Sequence, residues 1–454
     1  MRHHASALIG GAFAGLMFFT LGAGSSSVPQ DLKALYDRKE YQKVIDGLSK
    51  LDQDAQALPD VRRLKTRTLL KLGNPQLALA EYDKLGADLT RDDVPLLREV
   101  AFGFILVLVK DMRDQMRGAA YTALKEVDSE ETVSYFEDGL SDGSGPVRVL
   151  AVEGLARSES GRKSKKLRDA LNDQAALVKA RAVKALGKSG DRSVLPLIES
   201  ATKDEVTAVR IVAYGALIRL GRKEAWEDLR KAAESVNPED RAEALRTMAD
   251  LNDQRGVPLM VALLPYKQPS VRAAAARGLG HLHRAEARGD IEKLLDDPVA
   301  PVRESAAAAL ADLGAKESVV ALKRKLQDRV FSVRAAASAA LLQLSQPIDA
   351  VEPTLVALGQ HNDPAARSSA AFALGKATKA NRQGAVALLS GLAVDPLPGP
   401  RIVALRSLGH IGDSSVLPDL KAALHDQNEA VRATAAGALL HVLPPGKEAA
   451  GARL

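Results

Sequence analysis

The sequence predicts an all-α fold: a right-handed α–α superhelix made of stacked helix pairs. Three observations lead there. One residue pattern recurs eleven times along the chain. Each copy carries apolar residues at helical spacing. The composition is that of closely packed helices, with aromatics at only 4% and an apolar fraction of 46% drawn mainly from Ala, Leu and Val.

The repeated pattern begins with Asp, places Val-Arg five and six residues later, Ala at nine and Leu at thirteen. Asp297, Val302, Arg303, Ala306 and Leu310 show it, as do Asp328, Val333, Arg334, Ala337 and Leu341. The Val-Arg pair or its equivalent falls at Met116-Arg117, Val147-Arg148, Val178-Lys179, Val209-Arg210, Asp240-Arg241, Val271-Arg272, Val302-Arg303 and Val333-Arg334, each step being 31 residues. Ala366-Arg367, Pro400-Arg401 and Val431-Arg432 follow, with two steps stretched to 33 and 34. We number these copies repeats 1 to 11.

Each repeat reads as two helices. Val302, Ala306, Leu310 and Leu313 share one face of the second helix, and Val319, Leu322 and Leu326 mark the first helix of the next repeat. Pro196, Pro258 and Pro418 fall early in their first helices, where proline forfeits no hydrogen bond. Gly187, Gly280, Gly375 and Gly409 follow the conserved-spacing Leu and are expected to end the second helix. A short pair cannot bury its apolar stripe alone, so the pairs must stack.

Asp, Val-Arg, Ala and Leu-Gly at this period resemble the HEAT family, and within it the short repeats named after the phycocyanobilin lyases. The resemblance spans residues 93–446 and implies a HEAT/armadillo-like solenoid. It also implies that the second helices line a concave side. Positions seven, ten, eleven and fourteen after the marker Asp are then expected to face the groove: Ile211, Tyr214, Ile218, Leu245, Arg246, Arg277, Phe372, Ile402, Leu405 and Arg406. Aromatic, aliphatic and Arg projections on an Ala-rich floor suit a protein or peptide partner. Similar repeats build deoxyhypusine hydroxylase, which holds iron through His-Glu dipeptides. This chain has none, so that activity does not carry over.

Residues 28–90 have another period. Lys39 and Gly73 occupy equivalent turns 34 residues apart, and Gly73, Ala78 and Tyr82 resemble the turn Gly, small residue and aromatic of tetratricopeptide repeats. The alternative is a generic helical cap. The apolar stretch from Phe104 to Val109 is expected to seal the junction, and residues 447–454 form a tail.

The N-terminus has the parts of a secretory signal: Arg2, an apolar run from Ala5 to Gly24, and small residues to Ser27. The reading is a signal over residues 1–27 and a periplasmic or envelope location, the alternative being an uncleaved anchor.

Chemistry is sparse. There is no Cys, which excludes thiolate catalysis and zinc-thiolate sites. Net charge is +6 with the signs interspersed, a poor nucleic-acid signature. His281, His410 and His441 share one repeat position that elsewhere holds Arg157, Lys188, Asp250 or Lys376, a polar, solvated position and not a metal site. The cations from Arg117 to Arg432 form a column that is expected to pair with the marker Asp residues, eight of eleven of which are Asp. Arg162, Lys163, Lys165, Lys166 and Arg168 make a solvated basic cluster. The expected function is a non-catalytic protein-binding scaffold without cofactor, metal or catalytic residues. A lyase-type enzyme and an architectural spacer are the alternatives.

Overall fold

The computed structural model describes residues 28–88, 92–127 and 129–444, and every regular element among them is a helix. The expected signal, residues 1–27, and the tail, residues 447–454, lie outside the described residues. No helix among the described residues is long and apolar enough to cross a membrane.

Five helices precede the repeats: Gln30–Asp37, Tyr41–Leu48, Gln53–Ala57, Pro59–Lys71 and Pro75–Asp88. Leu32, Val44, Leu48 and Val61 form a small core of their own, while Leu79, Tyr82 and Leu85 join the main core. Lys39 (φ 61°) and Gly73 (φ 74°) both take left-handed backbone in their turns. Glycine does so without a steric penalty; lysine does not. The next helix, Val94–Val109, buries Leu96, Leu97, Val100, Phe104, Ile105 and Leu108. It touches both the preceding pair, Pro59–Lys71 and Pro75–Asp88, and the repeat array.

Within the array the first helices are short and often framed by 3-10 turns, as in Lys316–Ser318, Val319–Arg324 and Lys325–Gln327. Pro196, Pro258 and Pro418 sit in the first two positions of their helices. The second helices are longer, typified by Ala300–Asp312 and Phe331–Gln343. Ala306 and Leu310 are fully buried between the layers, and so are their equivalents Ala337 and Leu341.

Of the expected helix-ending glycines, Gly187 is the last residue of its helix and Gly375 the C-cap of its own, while Gly280 and Gly409 lie just inside theirs. Gly187, Gly280, Gly375 and Gly409 are not left-handed; the left-handed residues come three positions later, at Gly190, Gly221, Asn252, His283, Gly314, Ser345 and Gly412. Gly187 and Gly409 allow helices to touch. A Cβ on them would lie 2.7 Å from Ala216 Cβ and 2.8 Å from Ala438 Cβ in the next repeat.

Successive second helices pack side by side, while no two successive first helices do so. The second helices therefore lie on the inside of the curve and the first helices on the longer outer arc. The curve is complete. Glu429–Val442 of repeat 11 packs on Asp114–Val127 of repeat 1 as closely as sequence neighbours pack on each other, and also on Val94–Val109. The superhelix makes one turn and closes into a ring. Eleven inner helices at the usual spacing of about 9 Å put opposite axes roughly 30 Å apart, and a helix thickness of about 10 Å leaves a lumen about 20 Å wide.

On the side of repeat 1 the seam uses the same position as the other joints. Ala123 stands twelve residues after Asp111, as Ala216 does after Asp204 and Ala438 after Asp426. A Cβ on Gly437 would lie 2.8 Å from the Ala123 carbonyl oxygen. Buried Arg98 donates from Nη1 to the carbonyls of Leu440 (3.2 Å) and Leu443 (3.0 Å), which the end of the last helix would otherwise leave unpaired. Ion pairs join Arg113 to Glu429 at 2.6 Å and Lys421 to Asp92 at 2.7 Å, and His425 Nε2 lies 3.2 Å from the Asp83 carboxylate.

Candidate functional site

The cation column comes first, because it decides which charges are free. Arg303 donates from Nε and Nη2 to both oxygens of Asp328, each at 2.9 Å, and from Nη1 to the carbonyl of Asp297 at 2.9 Å. Arg303 thus bridges its own marker's backbone and the next repeat's carboxylate. The carboxylate link recurs at Arg117–Asp142, Arg148–Asp173, Lys179–Asp204, Arg272–Asp297, Arg367–Asp395 and Arg401–Asp426. Burial opposes ionisation of Asp328, but the Arg303 hydrogen bonds and the Val330 N–H outweigh it and hold the carboxyl below its ordinary value. These guanidinium groups are structural ties and are not available to a ligand.

The ties are interrupted where the next marker is not Asp, and also at the seam, where the next marker, Asp111, is held instead by Arg113 at 2.8 Å. Arg210 falls back on the Asp204 carbonyl at 2.6 Å and Thr207 Oγ1 at 2.9 Å. Arg241 lies over the Tyr266 ring, 4.5 Å from its centroid. Arg432 at the seam rests 5.9 Å from the centroid of Phe104.

The free chemistry lies on the lumen face of the second helices. Its positions are four, eight, eleven and fifteen after the marker, as the lining Leu177, Arg181, Lys184 and Val212, Gly215, Arg219 demonstrate. The expected set was therefore only partly right. At position eleven Phe372 is 58% exposed, and the side chains of Arg246, Arg277 and Arg406 are open by 47%, 47% and 36%. Ile211, Leu245 and Leu405 are buried, and Tyr214, Ile218 and Ile402 are partly buried against the core. The reason is the tight joint. Positions ten and fourteen turn toward the following helix, so the open face is rotated by most of a residue step around the helix. The fifteenth column, read above as merely polar, is a true lumen column.

One arc of the lumen is hollowed. The second helices of repeats 3, 4 and 5 wall a cavity of about 270 Å³, with Ala176, Leu177, Ala180, Ala208, Val212, Gly215 and Leu251 as its apolar floor. Arg181, Lys184, Arg219, Glu243 and Asp250 edge it. Asp250 is ion-paired with Lys184, and Glu243 with Arg246 at 3.3 Å. Arg219 meets only a carbonyl, that of Asp250, at 2.6 Å. Lys188, one helical turn beyond Lys184, has no ion pair or side-chain hydrogen bond among the described residues. Burial, Lys184, Arg219 and Arg162 pull its ammonium below the ordinary lysine value, against the opposing charge of Asp250.

His410 and His441 do come together, with ring centroids 6.1 Å apart, but they serve the seam. His410 Nε2 meets Glu126 at 2.8 Å and His441 Nδ1 meets the Glu126 carbonyl at 3.0 Å. Among the described residues no three His, Asp or Glu side chains gather as a metal site.

A family model described as HEAT repeats matches residues 164–249, 227–311, 257–343 and 351–440. The chain is a HEAT-repeat protein. Solved structures similar to this HEAT-repeat chain include human deoxyhypusine hydroxylase in complex with glycerol, at 20% identity and a TM-score of 0.31, covering 55% of this chain and 98% of that one. The CpcE–CpcF complex of phycocyanin lyase from Nostoc is similar at 24% identity and a TM-score of 0.37, covering 53% and 91%. A Kap121p mutant is similar over 90% of this chain and 56% of its own, at 13% identity and a TM-score of 0.34. None of the three is similar enough to speak to activity or ligand. No curated protein matches the chain.

Proposed function

We propose that this HEAT-repeat protein is an exported, non-catalytic scaffold of a bacterial cell envelope that holds a protein or peptide partner in its lumen. The observation that supports it is the chemistry of the inner face. Small side chains form the floor, and Arg246, Arg277, Phe372 and Arg406 project from it. Such side chains dominate binding energy at protein interfaces, whereas catalysis needs convergent acids, bases or metals.

Site-specific photocrosslinking tests the reading. A benzophenone side chain replaces Phe372 in the lumen or Val320 on an outer helix, where it is 72% exposed. A discrete protein adduct from position 372 and none from 320 is the expected result. Adducts only from the outer position would overturn it. Export has a separate readout: the mature chain recovered from cells should begin between about Ser25 and Pro29, and intact Met1 in the cytosol would reject it.

A further inference from the structure

We propose that the cavity walled by repeats 3, 4 and 5 binds an acidic peptide segment, with a carboxylate between Lys188 and Arg219 and a neighbouring apolar side chain on the Leu177–Val212 floor. The inference rests on the scaffold reading above and names the chemistry of the partner.

Three features of the arc point to it. The first is charge left over after local pairing. Both carboxylates at the cavity edge already have cations, Lys184 for Asp250 and Arg246 for Glu243, and Arg181 has Glu153 at 3.4 Å. Among the described residues Arg219 and Lys188 have no ion pair, and Lys184 and Arg219 add to the cost of charging Lys188, which Asp250 only partly offsets. An incoming anion relieves that repulsion, so it gains more here than at a paired cation.

The second feature is apolar surface held open beside the charge. Leu177 is 55% exposed at the mouth, and Ala180, Ala208, Val212 and Gly215 continue the floor beneath it. Phosphate or sulfate alone would leave this floor uncovered. A peptide with an apolar residue next to an acidic one covers both.

The third is size and mixture. A cavity of about 270 Å³ takes one or two side chains, and no aromatic ring lines it for base stacking. Glu243, Asp250 and, farther along the lumen, Asp312 break up the cations, so the lumen lacks the continuous basic track that a long polyanion follows. These features favour a short acidic peptide over a nucleic acid.

The test uses the purified protein and a short fluorescein-labelled peptide alternating leucine with glutamate, read by anisotropy. The control peptide carries glutamine in place of glutamate, and a labelled single-stranded oligonucleotide is the third probe. Binding of the acidic peptide should weaken about tenfold or more on Lys188→Gln or Arg219→Gln, as for loss of a charge-assisted hydrogen bond. Lys323→Gln, exposed on the outer helix Val319–Arg324, should leave it unchanged. Leu177→Ser should weaken the acidic peptide as well. Circular dichroism melts of each variant separate lost binding from lost folding. Equal binding of the glutamine peptide, no binding of the acidic one, or an oligonucleotide that binds as well and loses affinity with the same variants would each overturn the proposal. The adduct at position 372 can still form in those cases, so the scaffold reading stands or falls separately.

Discussion

Gly437 and Ala123 lie against one another although they belong to the last and first repeats, and a Cβ on Gly437 would come within 3.0 Å of Ala123 Cα. Like the Gly187–Ala216 and Gly409–Ala438 contacts, theirs sets a glycine of one repeat on the twelfth position of the next, although Gly437 stands eleven residues after its marker and those glycines fourteen.

Gly437→Val is therefore expected to spread or open the seam. The side chain meets backbone, which cannot swing aside, and overpacking of this kind costs about 1–3 kcal/mol. Small-angle scattering should register a larger radius of gyration with unchanged helix content. An unaltered scattering curve and melting temperature would mean that the ends are not joined in solution.

Arg303→Ala should cost about 3–5 kcal/mol, because it strands the buried Asp328 carboxylate without a counter-charge. Replacing the pair together, Arg303→Met with Asp328→Leu, should recover much of that loss. Urea melts of the single and double variants decide it; equal losses in both would show that packing by the arginine stem matters more than its charge.

Leu310→Ala should cost about 2–5 kcal/mol, as for other fully buried leucines. A change within about 0.5 kcal/mol, typical of surface sites, would refute the assignment of the core face.

Acid should undo the ties collectively. At Asp142, Asp173, Asp204, Asp328 and Asp395 burial favours the neutral acid, yet hydrogen bonds from the preceding repeat's cation and a backbone N–H outweigh it and lower each value. A carboxyl with a depressed folded-state value contributes stability that is complete above its unfolded value of about 3.9 and is lost as pH falls through the folded value. The urea midpoint should hold near about pH 5 and fall steeply below about pH 4. A midpoint indifferent to acid would rule out a contribution from these pairs.

The period, the helix pairs and the Arg–Asp pairing were legible in the sequence because each depends on residues at fixed local spacing. Arg303 and Asp328 are 25 positions apart, as the partners are in the other ties except Arg367–Asp395, where the longer repeat makes it 28. Closure was not legible. It results from a small rotation between repeats summed around the ring, and no single residue encodes that sum. Arg98, a lone cation in an otherwise greasy helix, was the one visible sign of something unusual there. The lumen register was missed for a related reason. A helical wheel shows which face is apolar, but not which flank a neighbour will cover. Gly409 looked like a helix end because a close approach between helices and a turn call for the same residue.

A ring has no terminal repeat, and this alters how the protein comes apart. An open array frays from its ends, because an outermost unit has only one interface to lose. Here every unit is held on both sides, so the first unit to leave must sever two joints at once. Amide hydrogen exchange should then be nearly uniform around the inner helices, with no gradient of protection falling away toward repeats 1 and 11. Cutting the seam would restore that gradient.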